Sequence, residues 1–216
     1  APPPHEDRTG HFAALDLGSN SFHLILARRL GKHIQVIDRL REMVRLGAGL
    51  RADGTITLES QQRALAALHR FGDRLRGIPA HHVRAVGTYS LRRAYRAMDF
   101  LEQARLALGY PVEVISGQEE ARLIYRGVSF TLGLSSGRRL VFDIGGGSLE
   151  IAGGADEEPD VAWSVPLGAA RLARQHFAGR VPDEEEIRAL RKQIRAEIAR
   201  EAGRLLRAGT PDHAAA

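Results

Sequence analysis

Two stretches of this chain repeat one pattern, and that repeat constrains the fold more than any other feature. FAALDLGSNSFHLILA, residues 12–27, and LVFDIGGGSLEIAGG, residues 140–154, each carry an apolar run into an Asp and pass one apolar residue to a Gly. Each then adds two small or polar residues and a Ser before a second apolar run. The alignment pairs Asp16 with Asp143, Gly18 with Gly145 and Ser21 with Ser148. Two apolar runs around a glycine-rich break are a strand–turn–strand signal. A single Asp-x-Gly says little, but two elaborated copies predict two related lobes facing each other.

The remaining segments read as follows. His33–Asp38 and Met43–Leu46 look like further short strands, so the first lobe opens antiparallel. Residues 58–77 hold apolar side chains at helical spacing and stop at Gly77. Val83–Val86 reads as a strand, followed by short helices over 90–97 and 98–108, the strand Val112–Ile115 and a helix over 117–130. A Gly/Ser loop, Gly133–Gly137, precedes the second copy, and Asp160–Val165 and helices over 167–178 and 183–207 follow it. The last helix opens on Asp183-Glu184-Glu185-Glu186, which suits the positive end of a helix dipole. Its Ile187, Leu190, Ile194 and Ile198 form one apolar stripe for core packing. Strands alternating with helices make the class α/β. The expected divisions are a Pro-rich flexible arm over 1–11, a first lobe over 12–133 and a second over 134–216.

Composition narrows the function. At 216 residues, and at about 150 residues for a typical domain, the chain holds one or two domains. No apolar run reaches the roughly 18 residues of a membrane helix, and APPPHEDRTG lacks the basic and apolar regions of a signal peptide. The expectation is a soluble cytoplasmic protein without a membrane partner. The absence of Cys removes disulfides, thiolate zinc sites and cysteine nucleophiles. None of the nine His falls in an HExxH or similar metal spacing. The net charge of +5 is almost wholly arginine, since Lys32 and Lys192 are the only lysines among 31 basic residues. Arginine suits bidentate phosphate recognition, although genomic base composition produces the same excess.

In each copy a strand ends in Asp and enters a turn too glycine-rich for bulky side chains. Glycine permits positive φ and removes the Cβ obstacle, so such a loop presents successive backbone N–H groups to an anion. Ser19, Asn20, Ser21 and Ser148 add side-chain donors to Gly18 and to Gly145, Gly146 and Gly147. Asp16 and Asp143 would repel phosphate directly. They make chemical sense with a divalent cation, typically Mg2+, between them and phosphate oxygens. The competing reading is a pair of tight β-turns with Asx-type bonds, which leaves the matched positions of two copies unexplained.

Ser116-Gly117-Gln118-Glu119-Glu120 marks the junction of a strand and a helix. Ser116 and Glu119 have capping-box spacing, which gives Glu119 a structural task. Glu120 projects in a different direction from the first turn and is the candidate general base for activating water; the alternative is a solvated glutamate favoured by the helix dipole. Thr88-Tyr89-Ser90-Leu91-Arg92-Arg93 also follows a strand. Arg92 is a candidate for neutralising transferring phosphate charge, against the alternative of a surface arginine on a basic protein.

At these motifs the chain resembles the exopolyphosphatase/guanosine pentaphosphate phosphatase family of the actin-like ATPase superfamily. FAALDLGSNSFHLILAR, VGTYSLRRA, EVISGQEEARLIYRGV and LVFDIGGGSLE, with VPLGAARL more weakly, stand in the family's order from Phe12 to about Phe177. The resemblance implies two ribonuclease-H-like lobes around a cleft. It implies Mg2+-dependent release of terminal phosphate from inorganic polyphosphate or guanosine pentaphosphate by in-line attack of water. By position it makes Glu120 the catalytic base, Asp143 a metal ligand, Glu150 an acidic residue of the second loop, and Arg92 the arginine of the family pattern. A homodimer is expected because family members often pair. Two departures stand out. Arg96 occupies a place where the family usually has Asn. The chain also ends at Ala216 after GTPDHAAA, where family members continue with another glycine- and serine-rich loop, so the second lobe is expected to be incomplete.

Polyphosphate is favoured over pentaphosphate because the triple-Gly loop and the GTxxLR element look closer to the exopolyphosphatase branch. A sugar or acetate kinase needs an adenine-binding lobe for which this chain is too short. A noncatalytic regulator that binds polyphosphate or an alarmone accounts for an incomplete second lobe but not for Glu120. Specific nucleic-acid binding is disfavoured by the lack of a recognised motif and by an aromatic content of 6%.

Overall fold

The computed structural model describes residues 10–216 apart from 32, 97 and 134–136. Residues 1–9 of the expected arm and 134–136 of the expected Gly/Ser loop lie outside the described residues. The chain divides into two compact units between Ile115 and Ser116.

Period-two patterning builds the first sheet. β1 (His11–Leu17) and β2 (Phe22–Leu30) bury Ala13, Leu15, Leu17, Phe22, Leu24 and Leu26 on one face, which leaves Asp16 and His23 on the other. β3 (His33–Glu42) completes an antiparallel meander, whereas β4 (Val83–Gly87) and β5 (Val112–Val114) add beyond β1 and parallel to it. The order β3-β2-β1-β4-β5 is ribonuclease-H-like. α1 (Leu58–Leu75) and α3 (Met98–Leu108) cover the apolar face with Phe71, Leu75, Phe100 and Leu108, and short α2 (Tyr89–Arg93) follows β4. Tyr110 is buried among them, its hydroxyl 2.9 Å from the Leu75 carbonyl oxygen and 2.8 Å from that of Ile78.

Two local expectations change here. Met43–Leu46 is not a strand. Val44 and Leu46 are both buried, and Arg45 between them takes a left-handed φ of 53° into a 3-10 turn over Leu46–Ala48. The helix expected over 90–97 stops at Arg93.

The second sheet repeats the first. β6 (Arg139–Ile144), β7 (Leu149–Gly154) and β8 (Val161–Val165) form an antiparallel meander, and β9 (His213–Ala215), which periodicity did not signal, lies parallel to β6. The order β8-β7-β6-β9 matches β3-β2-β1-β4 strand for strand. One face packs Leu149, Ile151 and Trp163 with Leu172 of α5 (Ala169–Phe177) and with Leu190, Ile194 and Ile198 of α6 (Glu184–Ala208). The other packs Val141 and Ala152 with Ala121 and Tyr125 of α4 (Gly117–Leu132). Cover on both faces explains why every residue of β7 is buried. It also explains why α4, which the division at 133/134 assigned to the first lobe, packs with the second sheet. The start of α6 is held by a reciprocal capping box: the Glu186 N–H donates to Asp183 Oδ1 at 2.9 Å, and the Asp183 N–H donates to Glu186 Oε2 at 3.0 Å. No helix among the described residues is long and apolar enough to cross a membrane.

Candidate functional site

The first glycine loop joins β1 to β2. A Cβ on Gly18 would stand 2.9 Å from the Ser21 carbonyl oxygen and 3.6 Å from an Asp16 carboxylate oxygen. Neither Gly18 nor Gly145, Gly146 or Gly147 takes a left-handed φ, so the expectation that positive φ selects these glycines gives way, at Gly18 and at Gly145, where a Cβ would stand 3.1 Å from the Ser148 carbonyl oxygen, to a demand for space. Close approach of backbone to backbone excludes the side chain.

A strap over Val44–Gly49 ties this loop from one side. The Gly47 N–H donates to the Ser19 carbonyl at 2.8 Å, and the Arg45 N–H donates to the Asn20 carbonyl at 2.7 Å. In a trans peptide the N–H opposes the C=O. The amides of Asn20 and Ser21 therefore point away from the strap, on a common side, as an anion nest requires. Ser90 of α2 donates from Oγ to Ser19 Oγ at 2.8 Å, so the hydroxyl of the VGTYSLRR segment braces the loop. The sequence offered Ser90 as one hydroxyl of this segment without a role; the structure gives it one. Arg92 of α2 donates from Nη1 to the Ile115 carbonyl at 3.1 Å and is half-buried.

Asp16 pairs across the ladder with His23, and His23 Nε2 lies 2.8 Å from the buried Ser21 Oγ. Burial first, and the nearby Arg41 second, push the His23 pKa down, so the ring is neutral at physiological pH.

The second loop has the same construction from different parts. The Gly145 N–H donates to the Ser148 carbonyl at 3.0 Å and closes the turn between β6 and β7. The first turn of α5 performs the task of the strap: the Ala169 N–H donates to the Gly145 carbonyl and the Arg171 N–H to the Gly146 carbonyl, both at 2.9 Å. The amides of Gly146 and Gly147 accordingly face away from α5. Contact is so close that a Cβ on Gly168 would fall 2.2 Å from the Gly147 carbonyl carbon and 2.4 Å from the Ser148 nitrogen. Gly168, in the weakly matching VPLGAARL segment, packs on this loop and was passed over by sequence reasoning. The φ of −68° there is ordinary, so only the packing reveals its task.

Acidic groups gather on one face of this sheet. Asp143 and Glu150 are cross-strand partners in the β6–β7 ladder, and Glu150 is buried with Oε1 accepting from Ser164 Oγ at 2.6 Å. Asp143 is exposed along its side chain, yet desolvation of its carboxyl raises the pKa. The register that puts Asp143 and Glu150 together also puts them on the face of Val141 and Ala152, which is the face α4 covers. Glu120, half-buried in the first turn of α4, therefore shares that face.

Ser116 caps α4, its Oγ accepting from the Glu119 N–H at 3.1 Å, while the Glu119 carboxylate grips Arg122 at 2.7 and 2.8 Å. Glu119 thus has a structural occupation, with the Ser116 cap of the expected box in place and its own carboxylate on Arg122. Among the described residues no three His, Asp or Glu come together as a metal-binding group; Asp143 and Glu150 form a pair, and Asp16 belongs to the first unit.

Comparison with known proteins gives these loops a context. The model of the Ppx/GppA phosphatase family matches residues 25–216. An exopolyphosphatase from Cytophaga hutchinsonii superposes with a TM-score of 0.85 at 28% identity, over 94% of this chain and 65% of its own length. The Ppx/GppA enzyme of Aquifex aeolicus superposes with a TM-score of 0.70 at 27% identity, over 88% of this chain and 63% of its own. The PilM–PilN type IV pilus biogenesis complex, at 11% identity and a TM-score of 0.61, shares the fold alone. The chain spans less than two thirds of the length of both phosphatase structures.

Proposed function

The chain belongs to the Ppx/GppA phosphatase family, and from that premise we propose that it carries the phosphate loops and general base of an exopolyphosphatase. The reaction is release of terminal orthophosphate from inorganic polyphosphate by attack of water; guanosine pentaphosphate, whose terminal phosphate is chemically equivalent, is the alternative substrate. One observation carries this reading. Each unit has a glycine loop whose carbonyls are tied back by a neighbouring element, so that its amides face outward together. Two tight turns of purely structural purpose have no need of that shared arrangement.

The roles follow from the chemistry of the groups. The amides of Asn20, Ser21, Gly146 and Gly147 hold phosphoryl oxygens with fixed dipoles, which stabilise charge without reorganising during reaction. Glu120 accepts a proton from the attacking water or orients it in line with the terminal phosphorus. Asp143 and Glu150 fit Mg2+, which takes one or two carboxylates and fills its octahedron with water and phosphate oxygens. A desolvated Asp143 carboxyl with a raised pKa is a group that a cation would relieve. When bound, the ion neutralises negative charge spreading over the phosphoryl oxygens. Asp16 stands at the equivalent place beside the first loop, where its pairing with His23 rather than a second carboxylate makes it the weaker cation ligand.

The test is phosphate release from polyphosphate, guanosine pentaphosphate and ATP, with and without Mg2+, for the wild type and Glu120→Gln. The variant should lose about 100-fold or more of turnover, the usual weight of a general base, and retain polyphosphate binding. Undiminished turnover removes Glu120 from the mechanism. Binding without release in the wild type favours a noncatalytic regulator.

A further inference from the structure

Arginines are distributed unevenly in the first unit. Alternation along β3 places Asp38 and Glu42 on the side of α1, where they pair with Arg74 at 2.6 Å and Arg70 at 2.7 Å. The same alternation turns Arg41 to the opposite face. The registers Asp16↔His23 and His23↔Arg41 then line up Asp16, His23 and Arg41 in one row across β1, β2 and β3. The Arg41 guanidinium is close enough to His23 to depress its pKa. His23 in turn touches Ser21 of the glycine loop. Arg41 is exposed, and among the described residues it has no ion-pair partner.

Arg45 comes at the same loop from the strap. It is exposed, likewise without an ion-pair partner among the described residues, and anchored through its own N–H to the Asn20 carbonyl at 2.7 Å. Buried Val44 and Leu46 on either side hold it in the left-handed conformation that a non-glycine residue seldom adopts. Strain of this kind persists where the surroundings over-determine it, and it gathers at ligand clamps.

We propose that Arg41 and Arg45 form a subsite beside the first glycine loop for the second and following phosphates of a linear polyphosphate. The loop amides take the terminal phosphate, Arg41 the phosphate beside it, and Arg45, on the strap side of the loop, a following phosphate as the chain passes the loop. This rests on the phosphatase reading above and adds to it a reason for the enzyme to bind chains in preference to single phosphates. Arginine is the suitable residue, because its planar fork meets two oxygens at once and stays charged at every working pH.

The test uses the full chain carrying Glu120→Gln, so that the titrant is not consumed, at fixed magnesium. Orthophosphate and tripolyphosphate are titrated calorimetrically into this parent and into versions that add Arg41→Gln or Arg45→Gly. Glycine suits the left-handed backbone, so the second variant removes the guanidinium without unfolding the strap. Orthophosphate affinity should stay within about twofold. Tripolyphosphate affinity should fall about tenfold for each variant, the loss expected of a charge-assisted contact. Its dependence on log salt concentration should become shallower by about one for each arginine removed. Unchanged tripolyphosphate binding, or equal loss for both anions, overturns the subsite and leaves the phosphatase reading standing. Failure of the parent to bind either anion overturns that reading and the subsite with it.

Discussion

Replacing Gly168 by alanine tests how the second glycine loop is held. The new methyl carbon would lie 2.2 Å from the Gly147 carbonyl carbon, 2.3 Å from its nitrogen and 2.4 Å from the Ser148 nitrogen, whereas ordinary contact begins near 3.4 Å. All three atoms are backbone, so no change of rotamer relieves the overlap. Either the loop or the start of α5 must move by about 1 Å, a shift at which the repulsive wall of the van der Waals potential dominates. Overpacking of this kind costs about 1–3 kcal/mol. The displacement also strains the bonds from Ala169 to Gly145 and from Arg171 to Gly146, both 2.9 Å, at about 0.5–1.5 kcal/mol each. The sum is about 2–6 kcal/mol. For a unit of roughly 100 residues that lowers the Tm by about 10 °C or more. Catalysis should suffer separately, since a displacement of about 1 Å in a positioning group costs on the order of 100-fold. Thermal melting by circular dichroism and a phosphate-release assay at a temperature where the variant is still folded read the two effects. A Tm within about 2 °C of wild type, with turnover unchanged, would refute the argument that α5 clamps this loop.

Three further substitutions probe the rest of the structure. Gly127 in α4 is exposed and a Cβ there meets nothing within 4 Å, so Gly127→Ala should stabilise by about 0.5–1 kcal/mol in urea denaturation, and destabilisation would contradict the helix geometry. Tyr110→Phe strips a hydroxyl from the buried carbonyls of Leu75 and Ile78 and should cost about 1–3 kcal/mol, whereas a change under about 0.5 kcal/mol would deny that bond a role. The half-buried Glu186 carboxyl is held at about 2, first by the Arg180 guanidinium and then by the Asp183 N–H, against 4.5 for an ordinary glutamate. A lowered carboxyl pKa contributes stability that is present above the unfolded value and lost as pH falls through the folded one. Glu186→Gln should therefore flatten the loss of helical signal between about pH 4.5 and 2, and an unaltered acid titration would refute the linkage.

Much of the site was readable from local pattern. Two apolar runs around a glycine-rich break in FAALDLGSNSFHLILA predicted a strand–turn–strand unit, because such a signal depends only on neighbouring residues. The spacing of Ser116 and Glu119 predicted a cap, because the N-terminal N–H groups of a helix are satisfied from within its own first turn. Met43–Leu46 misled for a complementary reason. Alternating buried residues look like a strand, but Val44 and Leu46 bury beside the glycine loop, and the backbone between them bonds to Ser19 and Asn20 instead of a ladder.

By itself, the sequence determined the doubled strand–loop–strand unit, the α/β class, the family and the residues that head each loop. These reside in short-range pattern and in residue chemistry, which survive without knowledge of distant contacts. Only the tertiary structure decided that α4 belongs with the second sheet and that β9 adds to β6. It alone revealed that Ser90 braces Ser19, that Gly168 yields its side chain to Gly147, and that Arg41 and Arg45 flank one loop. Each of these joins residues roughly 20 to 75 positions apart by close packing or hydrogen bonding. No local periodicity encodes such a meeting, since it exists only once the intervening chain has folded.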